Sequence, residues 1–320
     1  MEDQRSLKTI KFVGYRLITS LILLLAITLL TFFLLSMSKV DATDAYIHRN
    51  VMKPDAETVK MIEHRLGLDQ AIHLRYFKWI KNILKLDFGK SFVTGEDVLT
   101  EILVCFSRTV KMVGTSVLLM IGISLPLGIL AASKRDSYID NLISGFSMAG
   151  LSMPSYWFGF ILIYIFSIKL EIFPFVFKDN FSSYVLPAIA LSIPFTGIMI
   201  KMIRSNFLER LGDDFVSYAV ARGIPKRKIL FNHILKNSGV SLLALLGQNI
   251  SNIFVGTAII ETVFSIKGLG RYGLDAIFAR DNPAINGYVL FIAMSFALIN
   301  IITDILIIRT DRRVGENKLL

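Results

Sequence analysis

Six stretches of the chain run 21 to 28 residues without Asp, Glu, Lys or Arg: 17–38, 112–133, 141–168, 180–200, 237–260 and 282–303. About 20 helical residues cross a hydrocarbon core of about 30 Å. The pattern therefore predicts six spanning helices and an all-α membrane protein. Between the first two windows the periodicity changes. Val59, Ile62 and Leu66 form one stripe over 55–66, with Pro54 before it and Gly67 as a stop, and Ile72, Tyr76, Trp79, Ile80 and Ile83 share a second helical face. The run LDFGKS at 86–91 breaks that pattern. Such a segment buries little apolar surface alone, so it is expected to pack on the outer ends of the spans. Pro126, Pro154, Pro187 and Pro194 lie inside windows and predict bends, although proline is also simply common in membrane helices.

Composition agrees: 53% of residues are hydrophobic, 19% are charged, and the mean hydropathy is +0.59. The excess of 35 Lys+Arg over 25 Asp+Glu would point to nucleic acid in a soluble chain. Here topology explains it. With the N-terminus inside, the inner segments hold 18 Lys/Arg and the two short outer loops only Lys169, Lys178, Lys267, Arg271 and Arg280. Both termini are thus expected in the cytoplasm. The outer segment 39–111 carries 12 basic residues, but loops beyond about 60 residues cross largely regardless of charge. The first window is too long for a signal peptide and lacks a small-residue cleavage site, which makes it a retained span. A lone cysteine, Cys105, excludes an internal disulfide.

Two motifs imitate nucleotide sites. GLGRYG at 268–273 matches G-x-G-x-x-G but sits in a loop between spans rather than after a strand in a βαβ unit. GKS at 89–91 lacks the glycine five residues earlier, where Leu84 stands. An intramembrane hydrolase needs a nucleophile with its base, or paired carboxylates. His48, His64, His73 and His233 all lie outside the windows, and Asp304 has no second carboxylate within a span. No H-x-x-x-H or C-x-x-C spacing offers a metal site. Neither catalytic nor metal-binding residues are therefore assigned. Gln248, Asn249 and Asn252 cluster in the fifth window, Asn249 and Asn252 at i, i+3. They either line a pathway or tie helices together by hydrogen bonds.

The inner segment 201–236 is too long for a tight turn. Phe207, Leu208, Leu211, Phe215, Tyr218 and Ala219 have roughly helical spacing, Gly223 ends that helix, and Pro225 starts the next ahead of Lys226, Arg227 and Lys228. A surface hairpin of this kind presents an apolar, small-residue knob to a cytoplasmic partner, or anchors on anionic lipid.

The run DDFVSYAVARGIPKRKILFNHILKNSGV, 213–240, resembles the EAA-type loop of ABC importer permeases, specifically the first permease subunit of the dipeptide/oligopeptide/nickel group. LGLDQAIHLRYFKWIKNILKLDFGKSF (66–92), PLGILAASKRDS (126–137), SMPSYWFGFILIYIFSIKLEIFP (152–174) and IIETVFSIKGLGRYGLDAIFARDNPAINGYVL (259–290) are similar to other parts of that group. The loop departs from the general motif: Ser217 stands at its glutamate and Tyr218 at its first alanine. Ile224 replaces a small residue, and Ile266–Lys267 a common Trp-Pro.

The resemblance implies a type I ABC importer permease fold with an outer helical segment between helices 1 and 2. It implies a division into 1–38, the outer 39–111, a five-helix core 112–310 with a coupling loop at 205–236, and a tail 311–320. Phe215, Tyr218, Ala219, Gly223, Ile224 and Pro225 would couple to an ATPase, with Ala219 and Gly223 inserted in its groove; in such a permease the pathway lining is expected at the amides singled out above for lying within a span, Gln248, Asn249 and Asn252. Implied partners are a second, homologous permease, two cytoplasmic ATPase subunits that use ATP and Mg, an extracytoplasmic solute-binding protein docking on 39–111 and 267–286, and bacterial inner-membrane lipid. No cofactor resides in this chain, and no nucleic acid is involved. The implied cargo is a short peptide or a nickel or metal–chelate complex. A stand-alone channel or carrier is the alternative. Such carriers commonly have internal repeats, and residues 1–160 and 161–320 show no similarity.

Overall fold

The computed structural model describes the backbone of residues 2–37, 61, 64 and 69–310, and side chains from residue 14 onward within that set, Lys226 excepted. The helices in order are α1 Glu2–Met37, α2 Ile72–Ile83, α3 Val98–Ser133, α4 Tyr138–Ser152, α5 Ser155–Leu162, α6 Phe181–Leu211, α7 Asp214–Ala221, then α8, α9 Gly239–Val263, α10 Leu269–Phe278 and α11 Asn282–Thr310. A π-wound stretch, Ile163–Lys169, prolongs α5. Helix α8 is composite: Lys226–Lys228, the π-wound Ile229–Ile234, and Leu235–Asn237. Among the described residues no strand forms, only an isolated bridge between Lys90 and Asp97. The helix expected over 55–66 lies almost wholly outside the described residues.

Five helices are long and apolar enough to cross a membrane: residues Gly14–Met37 of α1, and α3, α6, α9 and α11. The sixth expected span is a pair, α4 with α5 and its π-wound extension, bent by 99°. The bend falls at Pro154, which has no N–H to continue the helix and holds Met153 extended at φ −89°, ψ 122°. Of the four prolines only this one interrupts a helix; Pro126 lies inside α3, and Pro187 and Pro194 inside α6.

Helices also overrun the charge-free windows. Helix α3 begins at Val98 rather than near 112, and α6 continues to Leu211, so Phe207, Leu208 and Leu211 belong to a span and not to the hairpin predicted from 205. The reason is that hydrocarbon excludes charge only at its own depth. A helix emerging from it can carry charge, and Arg108, Lys111 and Arg204 find oxygen partners there, on the Lys267 carbonyl, Asp179 and Asp140.

Packing divides the chain into two compact units. One comprises 1–13, 110–266 and 299–320; the other 14–109 and 267–298. The division expected from the sequence runs along the chain, whereas these units group 267–298 with 14–109, which takes in most of α1.

In the first unit α6 is the most buried span and packs against α4, α5 and α9. Small residues allow the approach. A Cβ on Gly197 would lie 2.5 Å from the Ser147 carbonyl oxygen, and one on Gly128 would lie 2.7 Å from the Ile203 side chain. Asn180 caps α6, its Oδ1 accepting from Ser183 N at 3.1 Å.

In the second unit the turn 87–97 is held by Asp281. This carboxylate, 2% exposed, accepts from Ser91 Oγ at 2.5 Å, Phe92 N at 3.1 Å and Val93 N at 3.2 Å. It also caps α11 through Ala284 N at 3.3 Å. Gly287 lies where a Cβ would meet Val98 at 2.7 Å, which keeps α11 tight on the start of α3.

A candidate coupling hairpin and membrane pathway

The hairpin consists of helix α7, a tight corner and α8. Two backbone bonds build the corner. Gly223 N donates to the Val220 carbonyl at 2.9 Å and Ile224 N to the Ala219 carbonyl at 3.1 Å, while Gly223 takes φ +72°. This is a Schellman cap with glycine at the left-handed position, followed by an apolar residue. Pro225 stands one position earlier than a first helical residue: its carbonyl accepts from Lys228 N and Ile229 N at 2.9 and 3.1 Å, so it is the N-cap of α8. The π-wound part of α8 packs against both α7 and α6, seating the hairpin on a span.

The two faces of α7 differ. Val216 and Ala219 are buried at 6% and 5% exposure, and Phe215 and Ile224 are half-buried. Tyr218 and Val220 are 65% and 61% exposed, and Gly223 and Pro225 are exposed as well. Ala219, expected on the docking face, instead packs inward, because on a helix Val216 and Ala219 share one side at i, i+3. The outer face is carried by Tyr218, with the Arg222 guanidinium 5.6 Å from its ring centre. Pro225, Arg227, Lys228, Phe231 and Asn232 line an adjoining open cleft.

Helix α9 separates the three amides. Asn249 is buried at 4% and donates from Nδ2 to the Leu245 carbonyl at 3.0 Å, within its own helix. Gln248 and Asn252 are exposed and lie at i, i+4 on one face with Ala244 and Val255. The shared face is thus 248/252 and not 249/252. Among the described residues no group of three or more His, Cys, Asp or Glu is placed to hold a metal ion.

Charged residues at span ends, which charge-free windows pass over, form the principal polar lock of the first unit. Arg204 on α6 pairs with Asp140 on α4 through two bonds of 2.6 and 2.7 Å, and Asp140 also accepts from Asp136 N at 3.0 Å. Asp140 one residue before its window and Arg204 four residues after its own were the available signal. Glu261, fully buried near the end of α9, was likewise missed.

In the second unit a cavity of about 460 Å³ carries both signs of charge, lined by Glu96, Glu101, Asp275 and Asp281 together with Arg108, Lys267 and Arg271. Arg108 Nη1 donates to the Lys267 carbonyl at 3.2 Å, and Tyr272 donates to Glu101 at 3.3 Å. Burial, reinforced by the Glu101 charge, pushes the Tyr272 hydroxyl well above the usual phenol range. The GLGRYG glycines lie around helix α10: Gly268 is its N-cap, and a Cβ on Gly273 would collide with the Tyr288 ring. No strand precedes them among the described residues, so the pattern is a packing device.

A model of the family described as binding-protein-dependent transport system inner membrane component matches residues 124–316, and a model of its N-terminal part matches 9–113. The chain belongs to this family: it is a multi-pass inner-membrane permease of an ABC importer, not an enzyme, and works with ATPase and substrate-binding partners. Among curated relatives, the nickel import system permease protein NikB of Staphylococcus aureus strain USA300 is 32% identical over 303 residues, covering 94% of this chain and 91% of its own. NikB of the bovine strain RF122 matches to the same extent. Among solved structures, the inward-facing MetNI methionine ABC transporter aligns with TM-score 0.56 at 15% identity, over 66% of this chain and 96% of that one. That likeness shows the ABC importer permease fold.

Proposed function

We infer that the chain forms half of the translocation pathway for nickel, free or chelated, or for short peptides, in a heterodimer with a second, homologous permease. Two cytoplasmic ATPase subunits hydrolyse ATP with Mg, and an extracytoplasmic binding protein delivers the solute. Both termini are cytoplasmic, in keeping with the lysine and arginine bias of the inner segments. The name of the NikB relative, nickel import, favours the metal.

The observation that carries the coupling role is the capped hairpin. Its Schellman corner is rigid, it is seated on α6, and it leaves Tyr218, Gly223 and Pro225 outward with Phe215 and Ile224 as flanking support. Ala219 contributes by packing the hairpin from behind. Closure of the ATPase pair pushes this hairpin, and α6 transmits the displacement to α4, α5 and α9, which gives alternating access. Gln248 and Asn252 face the pathway, while Asn249 is held within the helix.

The test is uptake by vesicles containing this chain with its companion permease, ATPases and binding protein. ATP-dependent accumulation of nickel, with or without a chelator, or of a peptide assigns the cargo. Gly223→Trp is expected to abolish uptake while the protein still inserts; normal uptake by that variant would overturn the docking role.

A further inference from the structure

Helix α2 is fastened to α1 through Tyr76 and Trp79, the latter's ring 5.6 Å from that of Phe32 between centroids. Tyr76 is buried, its hydroxyl lies 3.0 Å from Thr28 Oγ1 and donates to the Leu25 carbonyl at 3.3 Å, and its ring meets Phe32 edge-on at 5.5 Å between centroids. Thr28 lies nine residues before Met37, the last residue of α1, or about 14 Å along the axis. That part of α1 belongs to a span of mean hydropathy 2.7 with only 11% of its most apolar window buried. Helix α2 therefore lies alongside a lipid-facing surface, below the end of the spanning helix.

The outward side of α2 and the turn after it does not read as a water-facing surface. Leu74, Phe77, Leu84 and Leu86 are 55%, 68%, 81% and 70% exposed, and Lys78, Lys81 and Lys85 stand between them. Bulky apolar side chains alternating with lysines mark a helix at the headgroup boundary of a bilayer.

A cavity of about 560 Å³ opens between α1, α2, the 87–95 turn and the start of α11. Its charged lining among the described residues is Arg75, Lys78 and Lys90 against Asp87, three cations less one carboxylate, or +2. Asp87 already accepts from Gly89 N at 3.0 Å. Phe32 of α1 and Trp79 contribute apolar walls, and the Trp79 indole nitrogen is buried without a hydrogen-bond partner.

We propose that this cavity binds the phosphate headgroup of an anionic phospholipid, with α2 lying in the membrane interface. The leaflet is the one at the C-terminal end of α1, the outer leaflet in the orientation inferred above. Lys78 and Lys90 neutralise the phosphate, and the acyl chains continue onto the exposed apolar side chains of α1. A soluble anion would use the cations but not the leucines and Phe77; an amphiphile uses both. The proposal rests on α1 spanning a membrane and is independent of the cargo.

The chain has two tryptophans, so Trp157→Phe leaves Trp79 as the sole indole. In nanodiscs of phosphatidylcholine, Trp79 emission is measured with acyl-brominated phosphatidylglycerol or brominated phosphatidylcholine at equal fraction. Quenching by the anionic lipid is expected at about thirtyfold lower mole fraction, the order that two lysines near a bilayer surface supply. Lys78→Glu with Lys90→Glu should remove the difference. Equal quenching by the two lipids, a preference that survives the double reversal, or full relief by glycerol phosphate in the buffer would each overturn the proposal. Native mass spectrometry of the unsubstituted chain gives a second reading that needs no tryptophan change: retained phosphatidylglycerol, lost in the double variant, supports the site, and its absence counts against it.

Discussion

Arg204 and Asp140 close a two-pronged ion pair between α6 and α4, Nε on Oδ1 at 2.6 Å and Nη2 on Oδ2 at 2.7 Å. The carboxylate side is 2% exposed and the guanidinium 28%, so one partner is committed to the interior and the other reaches toward solvent. Because α6 also seats the hairpin, the pair lies on the path that the proposed coupling would use to reach α4.

Removing one partner leaves the other without its counter-charge. Asp140→Ala should lower stability by about 3 kcal/mol, the low end for a broken buried pair because Arg204 retains some water. Arg204→Lys should recover only part of the loss, since an ammonium cannot grip both oxygens. Thermal unfolding in detergent of the two single variants and the double variant measures the coupling. Additive losses would show that the pair contributes nothing of its own.

Gly197 tolerates no side chain, because the atom it would strike is the Ser147 backbone oxygen at 2.5 Å and not a movable side chain. Gly197→Ala should cost about 2 kcal/mol as α4 and α6 are forced apart. Gly122, with nothing within 4 Å, is the control. Gly122→Ala is expected to be neutral or stabilising by up to about 1 kcal/mol. Melting temperatures of the two variants in the same detergent decide it; equal shifts would refute the close approach.

Asp281 holds the 91–93 backbone and the start of α11 together. Asp281→Ala strands the Phe92 amide and removes one of the two acceptors of Val93 N, and should cost about 2 to 3 kcal/mol, whereas Ser91→Ala removes its bond to Asp281 and the acceptor of Thr94 N and leaves Phe92 and Val93 held, and should cost about 1 to 2 kcal/mol. Hydrogen exchange should rise locally over 87–97. Unchanged exchange there in the aspartate variant would remove the latch role.

Tyr272 supplies a pH signature. Burial and Glu101 raise its pKa above the ordinary 10.0, so the neutral form is favoured in the fold. Its contribution is fully present below about pH 10, where the unfolded phenol starts to ionise, and is lost as the pH rises further. The stability advantage of the native chain over Tyr272→Phe should therefore shrink between about pH 10 and higher values. Unfolding curves at pH 9 and above test this, and an advantage independent of pH would refute it.

The hydrophobic windows, the helix stop at Gly223 and the face shared by Tyr76, Trp79 and Ile83 were legible in the chain, because each depends on residues within a few turns. Crossing hydrocarbon demands an unbroken apolar helix, and a left-handed cap demands glycine, whatever the surroundings. The resemblance of the 213–240 segment rests on a local pattern of the same kind. Which way a residue faces was a different matter. Ala219 turned inward, Asn249 parted from Asn252, and Arg204 found Asp140 sixty-four positions away, because each outcome is set by what another helix brings alongside. Of the four prolines in windows, only Pro154 broke its helix; local chemistry permits a bend at each of them, and packing of α4 and α5 on α6 accompanies the one that formed. The sequence by itself determined where the apolar cores of the spans lie and that the inner hairpin exists, but not where the helices begin and end. Only the tertiary structure decided the pairings between spans and the cationic cavity behind α2, since burial and charge partnership are properties of neighbours in space.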